Sequence, residues 1–302
     1  LHDVVVRRAL GRARIGLVGA PSDWLVASSP DPTTVRAAWG PTVVPVGMEE
    51  VTRQIETGSD AAIEPQVRDL VAGAVETREP TSHDLVSAAR IFFALQQVVA
   101  DHNLDALTVR CFDFVQQLRT TGCYALARLS DEGVIAGCEG DLVSTVGMLW
   151  ARELLGSTPW MANPARLDSD RNTLWLAHCT VPLSLVTDYR LRSHFESGLG
   201  VGIQGLLAAG PVTLLRIGGA AMNRVWLAEG ELLRSGSSDT LCRTQAEIRL
   251  TRGGTVDDLL RTPLGNHLVL VVGHHLDRLR GWCRSVGIEV MASAAALVSR
   301  HG

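Results

Sequence analysis

The sequence predicts an α/β protein in two parts: a doubly wound, parallel-sheet domain over residues 1–155, then a mostly antiparallel, β-rich domain over residues 156–302. Three observations predict this. A chain of 302 residues exceeds one typical core and suggests about two domains. Strand-like and helix-like patterns alternate through the first half, as a parallel sheet with crossover helices requires. Beyond residue 155 that alternation gives way to short apolar runs split by Gly- and Pro-bearing turns, the spacing of an antiparallel sheet or barrel.

Taken in order, Arg14-Ile15-Gly16-Leu17-Val18-Gly19 reads as a short buried strand and Gly19-Ala20-Pro21-Ser22 as the turn after it. Thr42 to Val46 is a second β run, and residues 48–57 and 65–76 carry helical patterning. From Ser82 to His102 the apolar positions Leu85, Ala88, Ile91, Phe92, Leu95 and Val98 recur at three- and four-residue spacing, which predicts a helix. Leu107 to Cys111 reads as a strand. Val134 to Gly137 leads as an apolar segment into Glu139, and Leu142 to Leu155 is helical up to Gly156. Short strands follow at 174–177, 212–215, 225–227 and 268–272. A helix (275–286) and a strand (288–291) close the chain. There is no internal repeat and no low-complexity linker.

Composition narrows the function classes. Apolar residues make up 46% and charged residues 20% of the chain, as in a well-packed soluble protein. A net charge of −4 offers no basic excess to neutralise phosphates, so nucleic acid is not an expected partner. No apolar stretch reaches the ~18 residues of a membrane span, and a cytoplasmic location is expected. All 28 basic positions are arginine; with no lysine, Schiff-base chemistry and a phosphate-binding P-loop are excluded. Six scattered cysteines without C-x-x-C spacing read as free thiols. Gly16-x-x-Gly19 is too short for a dinucleotide fingerprint, and no G-x-S-x-G marks a hydrolase.

Three separated blocks carry the chemistry, each ending an apolar segment with an oxygen or imidazole ligand. They are Cys138-Glu139-Gly140-Asp141, Trp160-Met161-Ala162-Asn163, and Leu264-Gly265-Asn266-His267 with its downstream Gly273-His274-His275. Glu139 follows a strand and precedes a helix, so it is either a ligand or an acid that favours the helix dipole. Asp141 stands closer to the helix start and reads as its cap. Asn163-Pro164 is either turn chemistry or a ligand position. His267 at a strand start is either structural or a ligand. His178 ends an apolar strand beside Cys179, and His194-Phe195-Glu196-Ser197-Gly198 is a polar loop that either lines a pocket or is simply solvated.

Together the blocks resemble the metal site of L-fucose and L-arabinose isomerase-like sugar isomerases. In that family a Glu, an acid 24 residues later and a late Asn-His bind Mn²⁺; the matching positions here are Glu139, Asn163 and His267. The blocks lie in order between about residues 130 and 290, and Arg14–Trp24 adds a weaker match. The resemblance implies a fucose isomerase-like fold, with the family's first domain missing from this chain. It also implies a metal-dependent aldose–ketose isomerase working through an enediol. Mn²⁺ or another divalent cation would be held by Glu139, Asn163 and His267, with Glu139 and Asn163 at the reacting centre. Glu139 is the expected base that moves the proton between carbons, with Asp141 or Asp168 as reserves, and Asn266, Trp160, His178 and His194 would contact the sugar. A homotrimer or homohexamer follows from the same resemblance. Asn163 departs from the family's carboxylate: an amide offers a carbonyl oxygen to a hard cation but accepts no proton. That departure leaves net positive charge at the ion, which favours an anionic sugar. It also keeps open two other readings: an inactive sugar-binding relative, or a different reaction on a sugar acid or phosphate.

Overall fold

A computed structural model describes residues 1–293 of the chain. The first half runs α1 (His2–Arg12), β1 (Arg14–Val18), α2 (Pro32–Ala38), β2 (Thr42–Val46), α3 (Met48–Thr57), α4 (Ile63–Gly73), β3 (Glu76–Thr77), α5 (Ser82–His102), β4 (Ala106–Val109), α6 (Phe112–Leu118), α7 (Cys123–Asp131), β5 (Ile135–Cys138) and α8 (Leu142–Leu155). Strands β2-β1-β4-β5 form one small parallel sheet. Its central strand β4 is buried at every position, as expected of a parallel strand covered on both faces. The long helix α5 begins with a reciprocal capping box between Thr81 and Asp84 and ends at Asn103 in the left-handed region, so both ends are satisfied locally.

The second half runs β6 (Trp160–Asp168), β7 (Thr173–His178), β8 (Val186–Arg192), β9 (Gly202–Leu207), β10 (Gly210–Gly218), β11 (Arg224–Gly236), β12 (Thr244–Gly253), α9 (Val256–Arg261), β13 (Leu268–Val272), α10 (Leu276–Val286) and β14 (Glu289–Val290). Six of these strands close on themselves in the order β10-β13-β6-β7-β12-β11, with β11 pairing back to β10. Every one of those pairings is antiparallel. Strand β14 adds to β11 in parallel, and β3 joins β8 and β9 in a separate three-stranded sheet.

This overturns the expected fold class. The doubly wound domain followed by a mostly antiparallel β domain of fucose isomerase-like type is not what forms. A closed six-stranded barrel stands beside the small parallel sheet. The physical reason lies in β6 and β12. Both carry charged residues along much of their length (Arg166 and Asp168; Glu247, Arg249 and Arg252), so neither shows an apolar run. Each nonetheless bridges neighbours by backbone hydrogen bonds and so closes the cylinder. Pro164 sits inside β6 because a register shift between Pro164 and Arg166 spares the ladder the missing N–H.

Helix α8 joins the two parts. It packs on β4 and β5 of the parallel sheet and on β10 and β13 of the barrel. Eleven of its 14 residues are buried, which explains why the run reads as apolar on all sides. Among the described residues no helix is long and apolar enough to cross a membrane.

Candidate functional site

The carboxyl ends of β1, β4 and β5 open toward the barrel, the usual place for a site above a parallel sheet. Glu139 directly follows β5. Its backbone is left-handed, at φ +62°, followed by Gly140 at φ +74°. A non-glycine residue held there is strained, as residues at functional sites often are. Gly140 is required on two grounds, since a Cβ would also sit 2.6 Å from Pro21 Cα. The strained turn is tied down by Ser22 N–H donating to the Glu139 carbonyl at 2.8 Å and by Gly140 N–H donating to the Val109 carbonyl at 3.0 Å.

This turn points the Glu139 carboxylate at two histidines. His178 closes β7 and His267 immediately precedes β13. One ligand atom from each of Glu139, His178 and His267 lies within 4.8 Å of the others. The two imidazoles meet edge to face with ring centroids 5.3 Å apart, and His267 Nε2 is 3.7 Å from Glu139 Oε1. Each histidine is held from behind. His178 Nδ1 is 2.8 Å from Thr180 Oγ1. His267 Nδ1 is 2.9 Å from Asp141 Oδ2; an ionised carboxylate only accepts, so Nδ1 carries a hydrogen, and when the ring is neutral the lone pair falls on Nε2.

Asp141 does two jobs. It caps α8 by accepting from Ser144 N–H at 2.7 Å, and it orients His267. The fully buried Arg216 neutralises it, with Nη1 3.4 Å from Asp141 Oδ2, 2.5 Å from Ser144 Oγ and 3.1 Å from the His267 carbonyl. Gly265, at φ +150°, leaves the room that the Arg216 guanidinium fills.

Electrostatics follow from these contacts. Burial alone would raise the Asp141 carboxyl, but Arg216, His267 and the Ser144 N–H overcome it and hold it well below the usual carboxylate range. For His267 burial acts downward, yet the Asp141 and Glu139 carboxylates prevail and lift it to about 9. Burial, with the neighbouring His267 charge, pushes His178 down to about 4. Glu139 is lowered despite burial, by His267 and by the Trp24 indole N–H, which donates to Oε2 at 2.6 Å. The two carboxylates therefore favour positive charge on the His267 ring, carried by a proton when no cation is bound at Nε2. That buried atom has no hydrogen-bond partner, and a cation would satisfy it. Two imidazoles and one carboxylate, with a carboxylate behind one imidazole, suit a first-row divalent ion with open positions.

Above the cluster lies a cleft of about 490 Å³ lined by Trp24, Phe112, Gln116, Glu139, Asn163, Glu196 and Asn266. Glu139 and His267 are thus brought together, and Asn163 and Asn266 face the same cleft. His178, read from sequence as a sugar contact, stands instead beside Glu139 and His267. Trp160 is buried in the core at 1% exposure, and His194 bonds Ser197 and packs edge-on against Phe112; neither lines the cleft. Of the reserve bases, Asp141 is saturated behind His267, and Asp168 ends β6 and accepts from Arg171 N–H. Sequence reasoning missed Trp24, Phe112 and Gln116. Trp24 had one signal, a large aromatic in the Gly-Pro-rich loop after the first strand.

No family model matches the chain. It is similar to proteins named sulfoquinovose isomerase. Those of Priestia aryabhattai and Priestia megaterium are 22% identical over 298 residues, a match that covers 94% of this chain and 65% of theirs. That of Alkalicoccus urumqiensis is 25% identical over 210 residues, covering 68% of this chain and 47% of the relative. The chain therefore spans 65% of the length of the two Priestia relatives. The likeness is to enzymes, and to sugar isomerases, the chemical class that the motif resemblance implied.

Proposed function

We propose that this protein is a metal-dependent aldose–ketose isomerase acting on a sugar derivative through an enediol. The observation that carries the reading is the Glu139–His178–His267 cluster on the floor of an open cleft, with His267 Nε2 unpartnered. A divalent ion there, Mn²⁺ or a later first-row metal, would supply Lewis-acid polarisation of a carbonyl and its neighbouring hydroxyl. The protein's own residues do the rest. Asp141 fixes the His267 tautomer, and Trp24 holds one oxygen of Glu139 so that the other faces the imidazoles. Asn163, Asn266 and Gln116 present amides for sugar hydroxyls. Trp24 and Phe112, packed edge to face at 5.0 Å, present apolar surface to the sugar ring. The cleft volume suits a monosaccharide.

The kinship with sulfoquinovose isomerases supports the reaction class and favours a charged sugar. One carboxylate and two neutral imidazoles around a dication leave a net charge of about +1, which an anionic substrate would offset. Sulfoquinovose, the substrate in the relatives' name, is such a sugar. Association into a homotrimer or homohexamer is part of the same proposal. The test is turnover of a panel containing sulfoquinovose, sugar acids, sugar phosphates and free L-fucose and L-arabinose, with Mn²⁺ added. The expected outcome is ketose from an anionic aldose and little from the neutral sugars. No turnover of any member, with sugar binding intact, would favour a sugar-binding protein instead.

A further inference from the structure

Aldose–ketose interconversion needs a group that takes a proton from one carbon and returns it to the next. The cleft lining limits who can do this. Asn163, Asn266 and Gln116 are amides with no proton to trade at neutral pH, and Trp24 and Phe112 have none. His178 and His267 are buried in the cation cluster with their Nδ1 atoms engaged. Glu139 has one oxygen on the Trp24 N–H and the other toward His267, so a bound cation would make it the less basic of the two carboxylates in the cleft. The other is Glu196.

Glu196 is exposed, lines the cleft and makes no hydrogen bond or ion pair among the described residues. Its loop is nevertheless rigidly built. His194 N–H donates to the Leu199 carbonyl at 2.8 Å and Gly198 N–H to the His194 carbonyl at 2.9 Å. Arg243 Nε donates to the Ser193 carbonyl at 2.7 Å, and the Arg243 guanidinium lies over the Phe195 ring. The His194 ring packs on Phe112. A free carboxylate is thus held at the rim by neighbours that are all committed elsewhere.

We propose that Glu196 is the proton-transferring carboxylate of the isomerase; the inference rests on the isomerase reading above. Its carboxylate takes the C2 proton of the aldose. The C2–H electron pair becomes the C1=C2 bond, and the C1=O1 pair moves to O1, which receives the O2 proton. The O2 pair then forms C2=O2, and the C1=C2 pair takes the proton back from Glu196 at C1. Glu196 ends as the carboxylate it began as, with no net proton or electron consumed.

The experiment uses the whole chain with Mn²⁺ and the aldose turned over best. Glu196→Gln should leave the melting temperature, Mn²⁺ affinity and sugar affinity within about twofold of the parent. Isomerisation and deuterium wash-in at C2 from D₂O should both fall by about 10²-fold or more. Glu196→Asp, which keeps the carboxylate, should recover part of both. If the parent turns over sugar and Glu196→Gln exchanges deuterium at the parental rate, Glu196 is not the proton carrier while the isomerase reading stands. If the parent turns over no sugar, both fall together.

Discussion

At the scale of single residues, the site works by holding opposed charges out of water. Asp141, His267 and Arg216 are all within 1% of full burial, and each is tolerable only through the others. The pH dependence of stability follows with definite signs. His178 is about 4 when folded against 6.5 in the free residue, so its stabilisation is full above pH 6.5 and is lost as pH falls toward 4. Asp141 is depressed below 3.8, so its share is present above about pH 4 and lost below. His267 is raised to about 9; its share is full below pH 6.5 and lost as pH rises through 9. Without added metal, these three groups place maximal stability near pH 6.5, with losses of a few kcal/mol on either side. Urea midpoints measured from pH 3 to 10 check this. Asp141→Asn should shrink the alkaline loss, leaving the part due to Glu139, and remove the Asp141 loss below pH 4 while keeping the loss between 6.5 and 4. A flat profile would contradict the assignment. Glu139 and His267 were legible in the sequence because each ends or begins an apolar strand. His178 was visible, but its partners lie 39 and 89 positions away, and they meet only because β6 pairs with both β7 and β13 while β5 of the parallel sheet ends beside them.

At the scale of elements, the turn from β5 into α8 concentrates the demands of the site. It must aim Glu139, let Asp141 both cap and orient, and bring the 19–25 loop close enough for Trp24 to reach a carboxylate oxygen. Gly140→Ala would drive a methyl group into Pro21 and force a left-handed alanine. Such clashes and φ strain together cost about 1–3 kcal/mol. The expected outcome is a melting temperature lowered by several degrees and a loss of the Trp24–Glu139 contact, read as a change in tryptophan fluorescence. Unchanged melting and emission would mean that the turn is looser than described. Helices α5 and α8 and strands β1 and β2 were readable from periodicity, caps and apolar runs. Strands β6, β8, β9 and β12 were not, because charged and polar side chains interrupt them and their stability comes from pairing across the barrel or sheet.

At the scale of the whole molecule, a small parallel sheet supplies Glu139, Trp24 and Phe112. The barrel and its flanking loops supply His178, His267, Asn163 and Asn266, and the loop between β8 and β9 of the three-stranded sheet supplies Glu196. The sequence patterns conveyed a mix of helices and strands, but the doubly wound domain followed by a mostly antiparallel β domain that they predicted is replaced by a closed six-stranded barrel beside a small parallel sheet, since nothing in a strand's own residues says which edge it will find. The central claim is that these two layers meet around a divalent cation. Anomalous scattering at the manganese edge, from crystals grown with Mn²⁺, tests it most directly. One peak per chain is expected among Glu139, His178 and His267, and it should vanish in His267→Ala; a peak elsewhere, or none at saturating Mn²⁺, would rule out a cation at this junction.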